Sequence, residues 1–329
     1  MSDNLADVKQ WQLPDLTFGD PFRCGRWWFM GLSGSSSMAV VDLETYPPVV
    51  QHWKQDYAWH ADWDGQNTVG LCSRPGNHEH GKFALSLRSY ANPQVELRRF
   101  PLFRNGEPIQ TKAVFAIADQ WIAVGEWYEG TEQRVAFRLQ GDELLPADDL
   151  PAEQGIASKI SVRFTHGKAT LQDGTQILIW DGDGYELQNG RFQRTWKLRA
   201  DASSEWFSVP ASDQGFFYLS ERKIYLAQRG EAPRHMLPDA ENVMSMTPGP
   251  EGSVLLRMGY NKKNLLYRIW FPHDGSYIPL RRVDFDAPHY ASHMVPQWSE
   301  TTGHFFMMYF STVPVAQVLS RKRTKPRKI

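Results

Sequence analysis

His78-Glu79-His80 places two imidazoles and a carboxylate within three residues, the donor types that hold zinc or another divalent ion. In an extended strand the two histidines share a face and could meet one ion. The tripeptide lies between Pro75-Gly76-Asn77 and Gly81, however, which is turn composition, and a site needs further ligands from elsewhere. His78 and His80 are therefore weak candidate ligands, and no metal or cofactor is expected. His60-Ala61-Asp62-Trp63-Asp64-Gly65 would put His60, Asp62 and Asp64 on one face of a strand, the raw material of acid–base chemistry. Its blander reading is a strand end running into an Asp-Gly turn. His289, His293 and His304 form a second group. A hydrolase or lyase site would need several of His60, Asp62, His289, His293 and His304 to converge. Asp181-Gly182-Asp183-Gly184 looks like half of a calcium loop, but the position that should carry a bidentate Glu is Phe192, and Asp-Gly is ordinary hairpin chemistry. No Gly-x-Ser-x-Gly elbow, phosphate loop, dinucleotide fingerprint or His-Glu-x-x-His is present. No residue is assigned a catalytic role.

The residues better suited to binding are aromatic and basic. Trp59, Trp63, Trp127, Tyr128, Tyr260 and Trp298 are expected in exposed loops, and Trp, Tyr and Arg dominate interface hot spots. Arg321–Lys328 is a basic tail in which six of eight residues are Lys or Arg. Arg321, Lys322 and Arg323 could contact nucleic acid or an acidic partner, or simply keep the chain end solvated. Arg98-Arg99, Arg104 and Arg281-Arg282 are possible parts of the same basic surface.

The elements that would hold these residues are strands. The chain has 329 residues, 41% hydrophobic and 13% aromatic, enough for wide sheets packed face to face. Its net charge of −1 argues against a global nucleic-acid or anionic-membrane footprint. The two cysteines, Cys24 and Cys72, lie in apolar runs and are expected to be buried and reduced, not a disulfide framework. The first residues are polar and acidic, without a signal-peptide core, and no window approaches a membrane span, so a cytoplasmic protein is expected.

Asn242 to Leu280 sets the pattern: strands Val243–Thr247, Ser253–Met258, Asn264–Phe271 and Ser276–Leu280, separated by turns rich in Gly, Pro, Asn and Asp. Four antiparallel strands in about 40 residues form a unit that cannot bury both faces alone. Comparable units are read at Cys24–Leu32, Met38–Leu43 and Val49–Trp53; at Tyr57–Trp63, Thr68–Cys72, Lys82–Leu87 and Gln94–Phe100; and at Lys112–Ala118, Trp121–Trp127, Gln133–Leu139 and Glu143–Leu145. A fourth follows at Lys159–Phe164, Lys168–Leu171 or Gln176–Trp180, Tyr185–Gln188 and Phe192–Leu198. A fifth covers Trp206–Val209, Gly215–Ser220, Lys223–Gln228 and Arg234–Leu237. The last, at His289–Val295, His304–Phe310 and Val313–Leu319, is one strand short. Successive second-strand anchors fall roughly 37 to 55 residues apart, near Trp28, Val69, Ile122, Ile177, Phe217, Val254 and Phe305.

Over nearly its whole length the chain thus resembles β-propellers in general. Trp63-Asp64 and Trp180-Asp181 look like the dipeptide of WD repeats, although the Gly-His pair that should precede each is missing, as is the double glycine of kelch repeats. The resemblance implies an all-β fold of seven blades of four antiparallel strands, with six or eight blades and a two-sandwich protein as alternatives. Residues 1-22 form a lead-in segment that could supply a ring-closing strand, 23-320 the propeller, and 321-329 a basic, disordered tail. The expected function is a non-catalytic protein-interaction scaffold or assembly subunit that binds a protein partner through its loops. The rivals are an enzyme with its site in the central channel, and a nucleic-acid-associated accessory protein using the tail.

Overall fold

The structure, a computed structural model, describes residues 9–12, 22–31, 37–54, 56–75, 83–129, 131–151, 153–154, 156–157, 162–163, 166–198, 208–237, 242–261, 264–280, 297–309 and 315–320. Six antiparallel sheets follow one another along the chain, each built from consecutive strands. Blade 1 is Phe22–Cys24, Trp27–Gly31, Met38–Asp42 and Val49–Trp53. Blade 2 is Asp56–Trp63, Thr68–Pro75, Ala84–Ser89 and Glu96–Phe100. Blade 3 is Gln110–Ile117, Gln120–Glu129, Thr131–Gln140 and Glu143–Pro146, with Glu153–Gln154 added beside the third strand. Blade 4 is His166–Thr170, Gln176–Trp180, Asp183–Gln188 and Arg191–Lys197. Blade 5 is Ser208–Ser212, Gly215–Ser220, Lys223–Gln228 and Arg234–His235. Blade 6 is Val243–Pro248, Val254–Asn261, Asn264–Phe271 and Ser276–Leu280.

The seventh sheet is composite. Gln297–Ser299, His304–Tyr309 and Val315–Ser320 run outward in order, and Lys9–Gln12 pairs antiparallel with the last of them, from Lys9 opposite Val318 to Gln12 opposite Val315. First strands pack together between blades 1 and 2, 2 and 3, 4 and 5, 5 and 6, and 6 and 7. The circle closes where Arg23 of blade 1 donates to the carbonyl of Trp298 in blade 7 at 2.8 Å. This is a β-propeller.

The cores lie between blades, because each sheet has two apolar faces to cover. The second strands are buried along their length: Trp27 to Met30, Ile122 to Val124, Ile177 to Trp180 and Phe216 to Leu219. One apolar cluster joins blades 1 and 2, another blades 2 and 3, a third blades 3 and 4, and a large one runs through blades 4, 5 and 6. Gly70 shows how closely the blades approach, since a Cβ there would overlap the indole of Trp121 in the next blade. Hairpin turns follow the expected chemistry. Asp181-Gly182 has φ of 51° and 77°, and Asn189-Gly190 has 52° and 76°, the left-handed pairs that match strand twist. Among the described residues the only helical element is the 3-10 turn Pro250–Gly252.

Three strand readings need correction. Cys24–Leu32 is not one strand: Gly25, at φ 57°, turns the chain and splits it into the first two strands of blade 1. Lys159–Phe164 does not open blade 4. Its Val162–Arg163 pairs with Ile156–Ala157 in a separate ladder, and His166–Thr170 is the inner strand, so that the stretches at Lys168 and Gln176 are both strands. Within the last unit, Gln297–Ser299 is the innermost described strand, while residues 289–295 lie outside the described residues.

Candidate functional site

The axial residues come from the first strand of each blade, and the densest polar group is built around Asp62. Asp62 sits one residue before the end of the inner strand of blade 2, so its carboxylate reaches the inner edge of blade 3. There Oδ2 accepts the amide of Ala116 at 2.8 Å. The same oxygen lies 2.6 Å from Nζ of Lys168, on the inner strand of blade 4. Lys168 also donates to the carbonyls of Ala116 at 3.1 Å and Trp63 at 3.4 Å, which uses all three ammonium hydrogens. One ion pair thus fastens three consecutive blades.

His60 lies beside it. Its Nδ1 accepts the amide of Val114 at 3.4 Å, and its ring meets Phe115 edge-on at 5.1 Å. Burial, reinforced by His166 and Lys168 nearby, lowers its pKa to about 3. The imidazole is therefore neutral near pH 7. A second polar layer follows outward, where Glu126 pairs with Lys112 and Arg134, each at 2.6 Å. Arg134 also reaches within 3.4 Å of Nδ1 of His166.

Beyond His60 the axis opens into a cavity of about 730 Å³, on the side carrying the turns between first and second strands. Six blades contribute to its wall. Trp63 and Tyr90 stack there at 4.4 Å and 10°. Gly25 packs against both rings, so a side chain at that turn would displace the pair. Tyr90 accepts the amide of Arg26 at 3.0 Å through its hydroxyl. Hydroxyls of Thr170, Ser208, Ser299 and Thr301 also face the space, with Met246, Pro210 and Pro248 among them. The charged wall residues are Arg23, Arg26 and Lys168 against Glu44 and Glu300. Arg26 is held by Glu44 at 3.5 Å and Asp42 at 3.7 Å. Arg23 differs: its guanidinium bonds only neutral oxygens, those of Gly25, Gln297 and Trp298. It remains exposed to solvent at the cavity, although desolvation by the surrounding chain lowers its pKa.

The sequence-derived candidates scatter. His60 and Asp62 do converge, but each is spent on backbone or on Lys168. Asp64 lies past the strand and caps the amides of Gln66 and Thr68. His78, His80, His289, His293 and the tail residues Arg321, Lys322 and Arg323 lie outside the described residues, as does the side chain of His304. Among the described residues no group of three or more potential ligands could hold a metal. Cys24 and Cys72 are buried free thiols, both with pKa raised by burial, and Cys72 donates to the carbonyl of Thr111.

Of the six aromatic candidates, none is in a loop. Trp59, in the inner strand of blade 2, is 59% exposed. Trp63 is the stacked cavity residue. Trp127 lies in the second strand of blade 3 beneath the guanidinium of Arg104, 3.8 Å from its ring centre. Trp298 belongs to the inner strand of blade 7. Tyr128 and Tyr260 are strand residues whose side chains lie outside the described set. Of the basic pairs, Arg98 meets Asp142 and Arg99 meets Glu96. The cavity itself has no local sequence signal, because its wall is assembled from strand and turn residues of six blades.

No family model matches the chain, and no curated protein sequence matches it either. Its likeness is to solved structures. It superposes on a Mycobacterium tuberculosis puromycin-hydrolyzing peptidase with a TM-score of 0.57 at 12% identity, over 94% of this chain and 53% of that one. The likeness is one of fold. The chain spans about half the length of that peptidase. The dihydro-heme d1 dehydrogenase NirN gives a TM-score of 0.52 at 11% identity, over 95% of this chain and 67% of that one. The β-propeller domain of the Trilobed protease from Pyrococcus furiosus, described as having an open velcro topology, gives 0.50 at 10% identity over 95% and 98%. Here, in contrast, Lys9–Gln12 completes the last blade.

Proposed function

We propose that this propeller is a non-catalytic binding ring that docks a protein partner on the rim of blades 1 to 3. The observation that carries this reading is the distribution of exposed apolar side chains. Among the described residues, the large ones are Tyr46, Val49, Trp59, Val95, Leu97, Phe103 and Leu145, all in or beside the first three blades. Val49, Leu97 and Leu145 stand on the fourth, outermost strands of three consecutive blades. An outer strand is a sheet edge with unpaired backbone groups, and proteins commonly defend such edges with charge. Apolar side chains on three neighbouring edges suit a partner that covers them. A non-catalytic role is supported by Asp62 and by Nδ1 of His60, which hold blades 2, 3 and 4 together.

The test uses the full chain as bait in an extract of its own cells, beside a Val49→Asp, Leu97→Asp, Leu145→Asp triple variant whose melting temperature has been matched. A stoichiometric partner, identified by mass spectrometry, should be held by the wild type and lost by the triple variant. Capture that the triple variant retains in full would sink the reading. Trp59→Ala tests whether that indole belongs to the same surface.

A further inference from the structure

The axial cavity presents an unusual charge arrangement. Three cations face it, and two are already neutralised, Lys168 by Asp62 at 2.6 Å and Arg26 by Glu44 and Asp42. Arg23 has no carboxylate partner among the described residues, although a guanidinium stays charged under any ordinary condition. Its three bonds to neutral oxygens hold it in place without balancing its charge. A solvent-facing guanidinium with no ion-pair partner at a concave wall is free to take an anion from outside without breaking an internal pair. The rest of the wall says what that counter-ion carries. The Trp63–Tyr90 stack, Phe22, Pro210 and Pro248 offer apolar and aromatic surface, and Thr170 and Thr301 stand beside them. The volume, about 730 Å³, is that of a small-molecule site.

We infer that the cavity binds a small organic anion, its carboxylate or phosphate on the Arg23 guanidinium and its apolar body against the Trp63–Tyr90 wall. The bonds to Gly25, Gln297 and Trp298 take Nε and Nη1, which leaves the two hydrogens of Nη2 to donate to the anion. Glu44 is engaged by Arg26 and acts on Arg23 only through space, without an ion pair, and Glu300 stands on the exposed turn at the rim. The site is separate from the rim of blades 1 to 3 and stands or falls independently of it.

The experiment titrates the full-length protein with sodium benzoate, phenyl phosphate and neutral benzyl alcohol, at constant ionic strength. Binding is read by calorimetry and by tryptophan fluorescence, which reports on Trp63. At least one anion should bind saturably at one site and more tightly than benzyl alcohol. Benzoate alone would assign a carboxylate ligand, and phenyl phosphate alone a phosphate. Arg23→Gln should weaken binding by about 10- to 100-fold, the loss of a charge-assisted hydrogen-bonded pair. Because Arg23 also ties blade 1 to blade 7, that variant could fold poorly. Thr301→Trp, an exposed turn position, leaves that tie intact and should weaken binding by filling the mouth. No saturable anion binding, or binding that neither substitution reduces, overturns the inference.

Discussion

Asp62 acts as an anchor, and its chemistry follows from what it touches. Its carboxylate takes the Ala116 amide and the Lys168 ammonium, both nearly out of solvent. Removing one partner of such a pair strands the other charge. Asp62→Asn should cost about 3 kcal/mol of stability, whereas Asp62→Asn with Lys168→Met should recover most of that, as read from urea unfolding. Equal losses in the single and double variants would show that the pair is not coupled. His60 makes a pH prediction. Its folded pKa of about 3 lies below the ordinary value of 6.5, so the unfolded chain binds the proton first as pH falls. The contribution of neutral His60 is intact above about pH 6.5 and is lost progressively toward pH 3, at up to about 1.4 kcal/mol per pH unit. His60→Gln should flatten that part of the stability curve relative to wild type. Parallel curves for the two proteins would contradict it. His60 and Asp62 were visible as a pair at i and i+2, but Lys168 was not, because it is more than 100 residues away and no local pattern marks it.

At the scale of the element, legibility tracked how locally a strand is determined. Blade 6 is legible because each of its reversals carries Gly with Pro or Asn and its strands need no distant partner to be recognised. Blade 1 was not, because Cys24 to Leu32 is apolar throughout except for Gly25-Arg26, and a two-residue turn inside an apolar run leaves little compositional trace. The start of blade 4 is not legible, because residues 159–164 have strand composition too and only packing selects His166–Thr170 for the axis. The aromatic candidates failed as loop residues for a related reason: composition does not distinguish a tryptophan at a strand end from one in the turn beyond it. The outer strand Lys9–Gln12 belongs at this scale as well. Its loss would remove a whole edge ladder from blade 7 and leave Val315–Ser320 open. A chain beginning at Phe18 should lose on the order of 3 kcal/mol and associate more readily, as seen by thermal melting with light scattering. An unchanged melt would mean that the strand adds nothing to closure.

For the whole molecule, the separation of roles predicts how partners depend on salt. The proposed docking on Val49, Leu97 and Leu145 would rest on apolar burial, which added sodium chloride does not screen, whereas capture through Arg321–Lys328 would fall with ionic strength. Ending the chain at Ser320 should therefore leave the rim partner bound at both 50 and 500 mM salt. Loss of that partner with the tail would move the binding surface to the C-terminus. The composite seventh blade also carries a consequence for biosynthesis. Among the described strands Lys9–Gln12 is made before every blade strand, and its partner Val315–Ser320 after them. At about 5 to 20 residues per second, the ribosome separates them by roughly 15 to 60 s. Throughout that interval six blades can assemble in the order of translation, but the circle has no latch. Codon choice or a pausing site late in the message would then lengthen the time for which a nascent chain of this protein waits with both its edges unpaired.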